Sequence, residues 1–421
     1  MTAIPLPPPP LAATPSRSDR RARRRASRHV LAWFAAFVVL SVVSWLYQQF
    51  DFAGSLDHGI PIPDVVNMAR AIDNLQALGG GDQEGNQFIG VSLLYGWTWI
   101  VHPSLCFVVN AILMAWATRV YSDFFVGKLQ VPAWSIIGLL GNPYLILAMI
   151  GPNKEIPLAL ATLLYFRTLV ERRPGWPLVA VALSGVVYLF RDGYGAFLLL
   201  STVLFVLFRL RARPYALLMC AGCAALAALF GVLDSFIPIL SRNIQSFEAI
   251  AADNLAVGAF AAALGLDPFS PLGGLVTFGL RLAYNLLSLA FFPVFQTTGG
   301  IYWMGVGFWI NGMMLLTCVP ACVANLLKQA ARPPLMLCAA FMVATWFMVS
   351  VSLFVQPRYL LPALPMAMAA FACSSRKIRV RSVQAALALS AFIIVGYWLL
   401  DRAPPLADPD SFAPPAYILQ S

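Results

Sequence analysis

The chain has 421 residues, 60% hydrophobic and only 11% charged, with a formal net charge of +10. A soluble domain carries about 25% charged residues to solvate its surface, so this composition excludes an ordinary soluble protein and turns much of the surface to lipid. The positive excess does not point to nucleic acid: seven of the 28 Lys and Arg are arginines between Arg17 and Arg28, directly before the first apolar run, where they act as a cytoplasmic anchor.

In chain order, residues 1–28 form a tail, Pro-rich at Pro7–Pro10 and then basic, expected to be disordered and cytoplasmic. Residues 29–400 form one transmembrane domain that opens with a span over 29–49. No small-residue cleavage site follows that span, so it is a retained anchor and not a signal peptide. Residues 50–102 make a first external loop. Within it, 64–78 is amphipathic, with Val65, Met68, Ala69, Ile72 and Leu75 at helical spacing. The apolar stretch 87–101, about 15 residues, is too short to cross alone and reads as a second interfacial helix.

The basic clusters at 17–28, Arg119 with Lys128, 167–173, 209–213, Lys328 with Arg332, and 376–381 are all assigned to the cytoplasm. Span one then exits, 103–121 returns, 133–151 exits, 154–171 returns, 175–190 exits, 193–210 returns and 214–233 exits. Further on, 303–327 returns, 334–355 exits, 358–374 returns and 383–400 exits, leaving 401–421 as an external tail. Region 239–302 fits two ways: 272–296 crosses with 250–266 as a hairpin, or it re-enters without crossing. The expected fold is therefore an all-α polytopic transmembrane bundle of about 11–13 spans, with interfacial helices in the first external loop. Continuous apolar runs of this length exclude a β-barrel, which alternates.

Cysteines 106, 220, 223, 318, 322, 338 and 373 all lie in apolar segments. Cys220-x-x-Cys223 has no second pair and no nearby His, so both are helix residues, and neither a metal site nor a disulfide framework is expected. No cofactor is expected, and a need for a divalent metal is open.

This topology gathers polar residues on the external face. The first loop carries Asp51, Asp57 and Asp64, and the turn between spans three and four carries Lys154 and Glu155. The turn between spans five and six is Arg191-Asp192-Gly193, and Arg358-Tyr359 opens the penultimate span among Pro357, Pro362 and Pro365. Charges retained at membrane boundaries are costly and mark functional sites. Carboxylates and cations at the outer lip of a helical bundle suit glycosyl transfer from a lipid-linked donor: a carboxylate serves as base, and Arg and Lys stabilise the departing phosphate. No GxxxxGK[ST] loop and no dinucleotide fingerprint is present.

The layout resembles the GT-C-type polytopic glycosyltransferases and the polysaccharide polymerases of the O-antigen-polymerase and EpsG-like kind. The resemblance rests on one span followed by a long external loop, on Asp64-Val-Val-Asn-Met-Ala-Arg-Ala71, and on Arg358-Tyr359-Leu-Leu-Pro362-Ala-Leu-Pro365. It implies a catalytic base in the first loop, with acids and cations of later turns handling donor phosphate and acceptor. Asp64 is followed by Val-Val where the family has paired acids, so Asp64, Asp51 and Asp57 remain alternatives, beside Glu155. Lys154, Arg191, Asp192, Arg358 and Tyr359 are the expected substrate- and phosphate-binding set. No large soluble external domain follows the spans, which favours lipid-linked acceptors or a growing polysaccharide. The expected partners are a lipid-linked sugar donor and acceptor, membrane lipids and the envelope-polysaccharide machinery, with no nucleic acid. The expected location is the bacterial inner membrane, N-terminus cytoplasmic. The alternative function is a secondary transporter or flippase, which predicts broken helices and charge at mid-membrane.

Overall fold

The computed structural model describes residues 17–50, 72, 89–102, 105–208, 211–234, 270–290, 303–328, 332–351 and 357–399. Among them are fourteen α-helices and no strand. In chain order these are α1 (Arg17–Phe50), α2 (Ile89–Val101), α3 (Leu105–Tyr121), α4 (Ile137–Leu140), α5 (Pro143–Ala148), α6 (Glu155–Glu171) and α7 (Trp176–Phe190). Then follow α8 (Asp192–Phe208), α9 (Ala212–Asp234), α10 (Pro271–Leu287), α11 (Trp303–Lys328), α12 (Pro333–Val351), α13 (Leu364–Ala372) and α14 (Arg376–Leu399). The protein is an all-α polytopic bundle. Six stretches are long and apolar enough to cross a membrane: Ala26–Ser44, Leu105–Lys128, Ala212–Leu229, Trp309–Leu327, Pro333–Val351 and Arg376–Gly396. Three shorter apolar stretches accompany them: Trp176–Phe190, Gly193–Phe208 and Tyr359–Ala372.

Burial sorts the helices. α6 and α13 are apolar around their circumference and buried on nearly every side, as a helix enclosed by others must be. α12 joins them through Phe341, which packs edge-on against Phe166 and Phe197. Tyr121, Phe124 and Phe125 continue this aromatic core. The outer helices expose large apolar side chains, among them Leu31 and Val43 on α1, Leu178 on α7, Leu207 on α8 and Phe392 on α14. In water that would be an aggregating surface; here it is the lipid-facing one.

Two expected elements differ in form. The basic run 17–28 is not separate from the first span, because α1 begins at Arg17 and carries the arginines into the apolar stretch as one helix. The expected span 133–151 is discontinuous: a 3-10 turn over Ala133–Ile136, then α4, then α5. The cause is Gly141-Asn142-Pro143. Pro143 has no N–H to continue the helix, and the Asn142 side chain accepts from the Tyr144 N–H at 3.0 Å to start a new one. Asn142 also donates to Asn311 Oδ1 at 3.0 Å, so the break is satisfied inside the protein, where the membrane tolerates it.

The basic clusters assigned to one side are brought to one end of the bundle. Glu171 pairs with Lys128 (3.2 Å), Arg167 (3.3 Å) and Arg173 (3.0 Å). Arg213 donates to the carbonyls of Leu326 and Leu327, Arg332 to Gln130 Oε1 (3.5 Å), and Arg379 to the Ala372 carbonyl (2.6 Å). Glu155, at the other end of α6, is about 24 Å away at 1.5 Å per residue.

Of 272–296, the structure describes α10 and the 3-10 turn after it. α10 packs through Gly274 on the Ala227 carbonyl of α9, where a Cβ has no room, and through Arg281 on Ser350 of α12. The 3-10 turn after it, Ser288–Ala290, abuts Gly312 of α11 and accepts from Ser390 of α14 at 2.6 Å. Counted from the cationic ends of those four helices, these four contacts lie about 21–26 Å along, and Phe278 of α10 clusters with Cys223 and Ala227 of α9 at about 17–23 Å. α10 therefore runs across the bundle at the depth of the far lip. Stretch 64–78 lies outside the described residues apart from the buried Ile72.

Candidate functional site

The site is assembled at the end of the bundle opposite the Glu171 cluster. The turn Gly151-Pro-Asn-Lys that leads into α6 is fixed by Asn153. Its Oδ1 accepts from the Ile156 N–H (2.9 Å), capping the helix, while its Nδ2 donates to the Ala148 carbonyl (2.7 Å) and to Asn110 Oδ1 (3.1 Å). Asn110 of α3 reaches the same turn, donating to the Gly151 carbonyl (2.9 Å) and the Met149 carbonyl (3.1 Å). Tyr95 of α2 closes the network by donating to Asn110 Oδ1 at 2.5 Å. All three side chains are buried, so the orphan carbonyls after α5 and the first N–H groups of α6 are satisfied away from water.

That turn places Glu155 in the first turn of α6, pointing inward and 3% exposed. Arg191 meets it from the side. It is the single linking residue of the α7–α8 hairpin, in extended conformation, with its N–H on the Val187 carbonyl (2.8 Å) and its carbonyl accepting from Gly195 (2.9 Å). Gly195 packs against the Tyr188 backbone so closely that no side chain fits there, which lets the hairpin turn in one residue. Arg191 Nη2 donates to Glu155 Oε1 at 3.2 Å, and its guanidinium carbon lies 4.2 Å from the centre of the Tyr359 ring. The carboxylate sits at the positive end of α6, which favours its charge, whereas Arg191 lies between the negative end of α7 and the positive end of α8, whose fields oppose each other there.

Arg191 Nη1 is buried and has no hydrogen-bond partner among the described residues. A guanidinium held on one edge by a carboxylate and on its face by an aromatic ring, with an N–H to spare, is preorganised for an anionic or carbonyl oxygen.

Three of the sequence-predicted residues, Glu155, Arg191 and Tyr359, are thus brought together from three separate segments. Lys154 occupies the cap position of α6, half-buried, with its carbonyl accepting from the Leu158 N–H at 3.0 Å. Asp192 begins α8, and Arg358 lies in the 3-10 turn Pro357–Ala363; the side chains of both are outside the described set, as are Asp51, Asp57 and Asp64 entirely. Sequence reasoning missed Tyr95, Asn110 and Asn153. Only Asn153 left a readable signal, as a cap-type residue three positions before Ile156. Among the described residues no three His, Cys, Asp or Glu side chains are grouped as a metal would need, and all seven cysteines are free. Comparison of the chain with family models, with curated proteins and with solved structures finds no match.

Proposed function

We propose that this protein is a glycosyl-transfer enzyme of the bacterial inner membrane, acting at the extracytoplasmic face on polyprenyl-phosphate-linked sugars in envelope or exopolysaccharide synthesis. In layout it is similar to the GT-C-type transferases and O-antigen-type polymerases. The observation that carries the reading is the buried Glu155–Arg191 pair, 3.2 Å apart and roofed by Tyr359, at the end of the bundle away from the cation cluster. Taking that cationic end as cytoplasmic puts the N-terminus inside and the pair at the outer lip.

In this reaction the acceptor hydroxyl gives its proton to a carboxylate and its oxygen bonds to the anomeric carbon. The bond from that carbon to the phosphate oxygen breaks, and its electron pair leaves with the polyprenyl phosphate. Negative charge grows on that phosphate, within reach of the spare Nη1 of Arg191. Glu155, enclosed and engaged with Arg191, holds the guanidinium in place. The proton then goes to a first-loop acid, Asp64, Asp51 or Asp57. Arg191→Gln should lower turnover of a polyprenyl-phosphate-linked sugar roughly 10²–10³-fold in a folded protein. Wild-type turnover by that variant would refute the assignment.

The break at Gly141-Asn142-Pro143 favours a second reading, a secondary transporter or flippase, since such proteins use discontinuous helices. Passage of an intact lipid-linked sugar across a bilayer without covalent change would support it.

A further inference from the structure

We propose that Arg281, with Asn285 and Trp346 beside it, binds the phosphate group of a membrane amphiphile at a second site, on the far side of α12 from Glu155 and Arg191. This site does not depend on the glycosyl-transfer reading.

α10 is inverted in character. Its polar side chains Thr277, Arg281 and Asn285, at i, i+4 and i+8, are buried against α9 and α12, while Leu272, Leu275, Tyr284 and Leu287 are exposed. Arg281 is 6% exposed and makes one hydrogen bond, from Nε to the Ser350 carbonyl at 3.0 Å. No carboxylate pairs with it among the described residues, and its terminal nitrogens have no partner there. A guanidinium carries five N–H donors, so four remain, in the planar fork that matches phosphate oxygens.

Capping the last carbonyls of α12 is the simplest role for this arginine, yet neutral groups already join the two helices. Asn285 donates to Ser350 Oγ at 2.8 Å, and Ser350 Oγ donates to the Trp346 carbonyl at 2.9 Å. A charge in the membrane is too costly to repeat what Asn and Ser accomplish. One turn before Ser350, Trp346 holds a buried indole N–H with no partner among the described residues, a further donor on the same face. At 100° per residue Ser350 lies about 140° around α12 from Thr345, which packs in the core on the α8 side. The two arginines therefore flank the end of α12 at similar depth without sharing a pocket. The ligand is an amphiphile because the exposed face of α10 is apolar, so a tail can lie along it while the phosphate reaches Arg281.

The test uses the full chain in detergent and native mass spectrometry, with farnesyl phosphate, phosphatidylglycerol and the uncharged farnesol as probes. Wild type should retain a phosphate-bearing probe and not farnesol. Arg281→Gln should weaken retention at least ten-fold, and Arg281→Lys should fall between. Preference for phosphatidylglycerol identifies a bilayer headgroup, and preference for farnesyl phosphate a polyprenyl carrier; either supports the site. A photoactivatable farnesyl phosphate should label α10 of the wild type, which decides the matter even where the variants fail to fold. Equal retention of farnesol, unchanged binding by Arg281→Gln, or labelling confined to other helices overturns the proposal and leaves Arg281 as a helix cap.

Discussion

Replacing Glu155 by Gln removes the charge from a pair in which the carboxylate side chain is 3% exposed and the guanidinium 13%. Stranding one member of a fully buried pair costs about 3–5 kcal/mol. Here Tyr359 still covers the guanidinium face, and the Gln carbonyl still accepts one hydrogen bond, so the expected loss is about 2–4 kcal/mol. Arg191→Gln strands the carboxylate and should cost a similar amount. The double variant buries two neutral amides able to bond each other, and its loss should be about 1 kcal/mol, giving a coupling energy of roughly 5 kcal/mol. Unfolding in mixed detergent and dodecyl sulfate, followed by far-UV circular dichroism, measures all four corners of the cycle. Additive losses in the double variant would mean that the two side chains do not interact and would undo the geometry on which the site rests.

Other expectations follow from other parts of the fold. Asn153→Leu should destabilise the protein by about 1–3 kcal/mol, measured in the same titration, because it strands the buried Ile156 N–H and removes one of two donors from both the Ala148 carbonyl and Asn110 Oδ1. At the cationic end, burial raises the Glu171 carboxyl, but the hydrogen bond from Lys128 and the charges of Arg167, Lys128 and Arg173 outweigh it and hold the group below its usual 4.5. A depressed carboxylate contributes stability above its unfolded value and loses it as pH falls through the folded one. The stability gap between wild type and Glu171→Gln, read in the same titration, should thus be constant from pH 8 to about 5 and shrink as the pH falls further. Its size should be roughly 1 kcal/mol, since the cationic partners are largely exposed. Cysteines introduced at Leu272 and Leu287 should both react with an impermeant maleimide from the same side of the membrane, because α10 lies across the bundle. Labelling from opposite sides would make α10 a span.

Much of the bundle was legible because lipid leaves so few options. Runs such as 103–121, 334–355 and 383–400 had to be helices, and the basic residues between them had to share an end; Lys128, Arg173, Arg213, Arg332 and Arg379 do. The convergence of Glu155, Arg191 and Tyr359 was readable because each stands at a turn on the same parity of spans. The break inside 133–151 was signalled by Gly-Asn-Pro but masked by the apolar residues on both sides. Asn110 and Tyr95 were illegible, because single neutral polar residues in apolar helices carry no periodic or charge signature. Arg281 stood in plain view, but without the transverse course of α10 its depth had no meaning.

The central claim is covalent transfer at the outer lip, and liposomes holding the purified chain test it most directly. A polyprenyl-phosphate-linked sugar labelled separately in sugar and lipid is supplied with a lipid-linked or oligosaccharide acceptor. One polyprenyl phosphate should be released for each sugar joined to the acceptor, with loss of both products in Arg191→Gln. Movement of the intact donor across the bilayer, with both labels still joined, would contradict that claim.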